Sequence, residues 1–222
     1  MNILIHACEQ REEYVRGFLI PELIRQGWDK DRIVLWVDHG RGNLQAYLGS
    51  YAALPDTGDW WHLEDDVLPD GRFFKYAQGL SHFPGIVCGF GAGLYYGLRD
   101  FGYVQDPSEI FYSFPCIRIP CEVIKSFLRW LDQVKSRFKR TINSGAGIDY
   151  LFREYIKTQD VPIFNFKPCL VEHIDDLLGG SLVNPDRGQA KAVIFEDPGA
   201  FARLQGWKEG NDGAGDTIPG RF

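Results

Sequence analysis

Ile33-Val34-Leu35-Trp36-Val37 is the stretch whose reading decides the fold. It is apolar throughout, which reads as a strand buried on both faces of a parallel sheet covered by helices. Working back from it, Gly27 ends a helix over residues 12–26 as a C-cap glycine would, with Val15, Phe18, Leu19, Leu23 and Ile24 on its inner face. Pro21 inside that helix is expected to kink or interrupt it. Asn2 to Ala7 opens the chain as a short buried strand. Strand, helix and strand within the first 38 residues form a βαβ unit with a parallel pair, so the fold class is α/β: a single domain with a mostly parallel central sheet flanked by helices.

Both of these strands end in polar groups that a ligand could use, His6, Glu9 and Arg11 after the first, Asp38 and His39 after the second. A nucleotide-binding α/β domain places base and ribose contacts there. His6 serves equally well as a hydrogen-bonded core histidine. Gly40-Arg41-Gly42 lacks the third glycine and the following helix of a dinucleotide fingerprint, which argues against a Rossmann cofactor site.

Working forward, Trp60-Trp61-His62-Leu63-Glu64-Asp65-Asp66-Val67-Leu68-Pro69-Asp70-Gly71 is an apolar strand that runs into three carboxylates. Adjacent acids repel one another, and apolar flanks on both sides disfavour a merely solvated loop, so a divalent cation is the natural partner. Further on, Ile86 to Phe90 reads as a strand followed by a glycine-rich stretch (Gly89, Gly91, Gly93, Gly97) that a substrate could approach, or that is simply a loop. Phe114 to Ile119 is a strand, and Ile124, Phe127, Leu128, Leu131 and Val134 mark the clearest helix. The cations at its end, Lys135, Arg137, Lys139 and Arg140, are best read as complementing the helix terminus; the alternative is a phosphate-binding patch.

Asp149 lies in the first turn of a second helix, after Asn143-Ser144-Gly145-Ala146-Gly147. The helix dipole and Arg153 four residues on account for it structurally, while a catalytic base on a rigid helix start is the functional account. Residues 161–166 form another strand, and Pro168-Cys169-Leu170-Val171-Glu172-His173-Ile174 ends an apolar run in a histidine able to ligate a transition metal. Beyond it, Gly179-Gly180-Ser181-Leu182-Val183-Asn184-Pro185 is turn-rich, and Arg187 and Lys191 could reach a diphosphate.

The chain has 222 residues, enough for one domain with a full core, here assigned to residues 1–205, with a glycine-rich tail at 206–222. A formal charge of −6 argues against a protein that coats nucleic acid through a basic face. The five scattered cysteines lack zinc-site spacing and fit reduced thiols in a cytoplasmic protein. Met1-Asn2 leads directly into Ile3-Leu4-Ile5 without the basic segment of a signal peptide, and no apolar run is long enough to span a bilayer.

In this order the βαβ unit, the Glu64-Asp65-Asp66 run after a strand and the late Pro168-to-Ile174 segment resemble the GT-A glycosyltransferases, in the small bacterial or phage-encoded form. The resemblance spans residues 1–195. It implies a GT-A-like fold with a nucleotide-binding N-terminal half, a DXD-type metal motif with Glu in its first position, and Mn²⁺ or Mg²⁺ with a nucleotide-sugar donor, a UDP-sugar first. It implies Asp66 and His173 on the metal, Glu64 or Asp65 nearer sugar or ribose, and Asp149 as the base of an inverting transfer to an acceptor hydroxyl. The acceptor would be a glycan or a hydroxymethylated DNA base. Two competing readings are a nucleotidyltransferase, whose Gly-rich, Lys-containing phosphate loop the His6-to-Arg11 segment lacks, and a catalytically inactive nucleotide-sugar-binding module.

Overall fold

β1 (Asn2–Cys8) is the strand against which the N-terminal half is assembled, because it is flanked by parallel neighbours on both sides, β2 (Ile33–Asp38) and β3 (Asp59–Glu64). The computed structural model of the chain describes residues 1–40, 42–55, 57–90, 102–104, 114–139, 147–159, 161–166, 168–180 and 195–213. Its main sheet continues through β5 (Ile86–Cys88), β6 (Gly102–Val104), β7 (Cys116–Pro120) and β8 (Ile163–Asn165), in the order β2-β1-β3-β7-β5-β8-β6. β7 runs against β3 and β5, and β6 runs against β8; the other five strands share one direction, so the sheet is mainly parallel. A second, two-stranded antiparallel sheet pairs β4 (Val67–Pro69) with β9 (Val171–His173). The whole is a single α/β domain.

Period-two alternation divides the core into two layers. Ile3, Ile5, Trp61 and Leu63 face one side, with Val15, Phe18, Leu19 and Leu23 of α1 (residues 12–26) and Phe73 of α3 (Phe73–Gly79). Leu4, Trp60, Ile117 and Ile119 face the other, against α2 (Asn43–Ala53), α4 (Cys121–Val134) and α5 (Ile148–Ile156). The expectation for Ile33 to Val37 needs correction. β2 is the edge strand, and every residue in it is only half-buried. Its uninterrupted apolar character reflects the helices over its two faces; the strand buried on both sides and both edges is β1.

Pro21 leaves a visible trace in α1. The five residues before Ile20–Gln26 form a π-helical turn, Val15–Leu19, which absorbs the proline's missing N–H without ending the helix. Gly27 then caps it at φ 112°, with Gly27 N–H donating to Ile24 O and Trp28 N–H to Leu23 O. Ile24, expected inside, is 42% exposed.

The last helix, α6 (Pro198–Gly213), crosses the boundary drawn at 205/206. Ala200 and Leu204 are buried, and the Trp207 ring packs 5.8 Å from Tyr14 and 5.9 Å from Phe18. Asp197, just before it, accepts from Gly71 N–H and from Arg203, and Arg203 also reaches Glu22 of α1. Residues 214–222 lie outside the described residues, as do Gly91, Gly93, Gly97, Arg140, Arg187 and Lys191.

Gly85 is the backbone position with least room. Its φ is +87°, and a Cβ there would sit 2.3 Å from Pro162 O, the carbonyl that accepts from Ile86 N–H to start the β5–β8 pairing. Gly85→Ala is expected to lower the unfolding free energy by about 2–3 kcal/mol, combining left-handed strain with overpacking. Gly40→Ala, at φ +80° with nothing within 4 Å of its Cβ position, should cost only the strain, about 1 kcal/mol. Urea unfolding of both variants checks the contrast.

Candidate metal centre

Strand pairing builds the site. β3 ends at Glu64 in the main sheet, Asp65 and Asp66 form a turn, and β4 leaves to pair with β9 in the register Val67↔His173, Leu68↔Glu172, Pro69↔Val171. Two further backbone bonds extend the pairing, Ile174 N–H to Asp66 O at 2.8 Å and Asp70 N–H to Leu170 O at 2.9 Å. His173 is thereby delivered to the acids more than a hundred residues before it. One ligand atom each from Glu64, Asp66 and His173 lie within 4.8 Å of one another. His173 Nε2 is 3.2 Å from Asp66 Oδ2, and Nδ1 is 3.4 Å from Oδ1 of the buried Asp175.

Arg11 divides the acidic run. It sits on a 3-10 turn, Glu9–Arg11, directly after β1 and is buried. One guanidinium nitrogen donates to Asp65 Oδ1 at 3.1 Å and to Asp66 Oδ2 at 2.5 Å, and the other to Gly180 O at 2.8 Å. Asp65 Oδ2 accepts from Cys8 N–H at 2.7 Å. Asp65 is therefore engaged by the end of β1, and Glu64 and Asp66 are the acids that meet His173. Glu64, expected nearer the sugar or ribose, belongs to the candidate ligand set.

The electrostatics favour a cation. Burial, reinforced by the charge of Asp66, pushes the Glu64 carboxyl up to about 8. Burial and Asp66 also raise Asp65, against the opposing pull of Arg11. Burial works against the Asp66 carboxylate too, but His173 and Arg11 overcome it and hold that group below its usual range. Burial similarly disfavours charged His173, yet Asp66 and Glu64 raise it. Asp66 Oδ1 is buried without a hydrogen-bond partner among the described residues. That carboxylate oxygen, a second carboxyl kept protonated chiefly by burial and an imidazole form a donor set that fits a divalent ion.

The remaining expected residues fall into three groups. His6 is a core histidine: it is buried, its Nε2 is 2.6 Å from Ser50 Oγ, and its ring stacks on Tyr47 at 3.9 Å. Burial pulls its pKa down to about 3. Arg11, expected to bind the donor, is instead occupied by the two aspartates and a carbonyl. Glu9 and His39 pair across the ends of β1 and β2 at 2.6 Å, both well exposed, with half-buried Asp38 ending β2. Asp149 stands in the first turn of α5. Its Oδ1 turns back to within 2.5 Å of where a Gly147 Cβ would be, and it is not one of the three converging residues. Residue 187 lies outside the described residues.

The structure adds groups that sequence reading passed over. Tyr47 of α2 donates its hydroxyl to Glu64 Oε1 at 2.7 Å. Asp175 carried one signal, its place two residues after the candidate histidine. The Gly180 carbonyl had no sequence signal at all.

No family model matches the sequence, and no curated protein matches it. Among solved structures, the chain is similar to the inositol-1-phosphate CTP transferase from T. maritima, with a TM-score of 0.47, 12% identity, and coverage of 85% of this chain and 98% of that one. It is similar to the galactosyltransferase LgtC in complex with donor and acceptor sugar analogues (TM-score 0.45, 12% identity, 99% and 98% coverage). It is also similar to the CTP:phosphocholine cytidylyltransferase LicC from Streptococcus pneumoniae (TM-score 0.44, 13% identity, 92% and 97% coverage).

Two outcomes follow from this geometry. Glu64 titrates near 4.5 when exposed and at about 8 when folded, so between these values the folded protein holds a proton that the unfolded chain has released. Stability assigned to Glu64 must therefore fall as pH rises across that window. The stability gain of metal-free Glu64→Gln over the parent should grow from pH 4.5 to about 8 and then level off, as measured by urea unfolding at a series of pH values. Arg11→Met strands two buried carboxylates and should cost about 3–5 kcal/mol in the same assay. Arg11→Lys should recover only part of that, since an ammonium cannot reproduce the fork between Asp65, Asp66 and Gly180.

Proposed function

We propose that the chain is a metal-dependent glycosyltransferase that moves a sugar from a nucleoside-diphosphate sugar to an acceptor hydroxyl. The observation that carries this reading is the convergence of Glu64, Asp66 and His173 beyond the carboxyl end of β3, beside the parallel β2-β1-β3 array. Ligands of open α/β sheets gather at that end. In this reading the three residues hold the ion, and the imidazole favours Mn²⁺ over Mg²⁺. When bound, the ion neutralises charge on the departing nucleoside diphosphate.

The chain's own residues supply the rest. In this reading Glu9, His39 and Asp38, at the ends of β1 and β2, meet the ribose and base of a UDP-sugar. Arg187, which follows the Gly179-Gly180 turn in sequence, supplies a cation for the diphosphate. Asp149 accepts the acceptor's proton as the hydroxyl oxygen forms its bond to the anomeric carbon and the bond from that carbon to the diphosphate oxygen breaks. A single displacement of this kind inverts configuration. The acceptor is a glycan or a hydroxymethylated DNA base, and the setting is the cytoplasm, where five free thiols are at home. No described helix is long and apolar enough to cross a membrane.

A screen of nucleotide sugars with Mn²⁺ tests the reading through nucleoside diphosphate release and metal-dependent thermal stabilisation. Asp66→Ala is expected to abolish metal-dependent donor binding. Asp149→Asn should leave donor binding intact and lower turnover by about 100-fold or more, the scale of a lost general base. Pyrophosphate release from a nucleoside triphosphate would instead identify a nucleotidyltransferase. Donor binding without turnover, unaffected by Asp149→Asn, would identify an inactive binding module.

A further inference from the structure

Tyr47 is held more tightly than a residue whose only task is to fill the core between α2 and the sheet. Its ring stacks on His6 at 3.9 Å and 12° and on His62 at 5.0 Å and 18°, with Tyr51 and Phe114 edge-on at 6.2 and 5.9 Å. The His6 plate is itself fixed. Ser50 Oγ donates to the Tyr47 carbonyl at 2.8 Å, so the same oxygen accepts from His6 Nε2–H at 2.6 Å, tying the imidazole to the helical turn that carries the tyrosine. Tyr47 is 3% exposed, and its hydroxyl donates to Glu64 Oε1 at 2.7 Å.

We infer that Tyr47 is a positioning residue for the metal centre: its locked hydroxyl pins Glu64 Oε1 and thereby presents Oε2 to the ion. The inference rests on the reading of Glu64 as a ligand. A ring with two rotatable bonds, stacked on the His6–His62 pair and flanked edge-on by Tyr51 and Phe114, has little freedom to move its hydroxyl away from Glu64 Oε1. The carboxylate that accepts from it loses its own freedom in turn. Without that bond Glu64 would have to be ordered by the ion itself, at a cost in affinity. Partners of this kind, one bond removed from the metal, typically set affinity by about 10–100-fold.

Tyr47→Phe keeps every ring contact and removes the hydroxyl alone. Mn²⁺ binding is read from the electron paramagnetic resonance signal of free Mn²⁺, alongside the melting temperature of the metal-free protein. The variant is expected to raise the Mn²⁺ Kd at least about tenfold. Its metal-free melting temperature should fall by only about 2–4 °C, the scale of one hydrogen bond in a domain of this size. Tyr47→4-aminophenylalanine, which restores a donor at the same position, should recover the affinity. If the parent protein binds no Mn²⁺, the metal-centre reading is overturned and this inference with it. If the parent binds and Tyr47→Phe binds equally well, only the inference is overturned. A Tyr47→Phe protein that does not fold without metal, or a loss of affinity that the amino variant does not rescue, assigns the hydroxyl to packing and overturns it as well.

Discussion

The short antiparallel pairing of β4 with β9 is the constraint on which the site depends. Three residues on each strand set the register, and Val67 opposite His173 is the pair that matters. A slip of one residue would turn His173 to the other face and disperse the cluster. Hydrogen bonds over so short a ladder cannot hold a register alone. Buried apolar side chains do so: Val67, Leu68, Leu170, Val171 and Ile174 are all fully buried and join the core layer beneath α1. At about 1.5–3 kcal/mol for each such side chain, the register is fixed by the same burial that stabilises the domain.

Charge balance imposes the second condition. Three adjacent carboxyl groups, Glu64, Asp65 and Asp66, face one permanent cation, Arg11. Fully ionised, the run exceeds Arg11 by two negative charges. In the metal-free protein the excess is relieved internally: Glu64 stays protonated up to about 8, and His173 is drawn towards its charged form. A divalent ion would match the excess and release those protons. Arg11 thus serves as a structural counter-charge that takes up Asp65 and one oxygen of Asp66. Glu64, Asp66 and His173 still offer one ligand atom each within 4.8 Å of one another.

The N-terminal βαβ unit was legible because hydrophobic pattern and glycine chemistry agree there; Gly27 closes α1 as its position demanded. β2 misled because apolar residues throughout a strand report cover on its faces and say nothing about its edges. The tail misled in the opposite way. Four glycines in α6 hide its pattern, and it is Trp207, seated against Tyr14 and Phe18, that holds the segment in place. Within the site, the pairing of Asp66 with His173 was implied by the family resemblance, and the β4–β9 register brings the two side chains to 3.2 Å. Which of the three acids faces which partner depends on Arg11 and Cys8, and no local pattern encodes that. The Tyr47–Glu64 bond had no sequence signal, since a hydroxyl's partner is settled by tertiary packing.

Glu64 and His173 are held by different parts of the molecule. Glu64 is fixed from the main sheet, by β3 beneath it and by Tyr47 from α2 beside it. His173 is fixed from the small sheet, by its register with Val67 and by its neighbour Asp175. Asp66 is the hinge between the two, since its backbone carbonyl closes the small sheet while its side chain meets Arg11 from the main one. An ion held by all three would crosslink the two sheets. Its binding free energy would then enter native stability as RT ln(1 + [L]/Kd), acting at the three-residue β4–β9 pairing. The protein would therefore be most ordered at its site when that site is loaded.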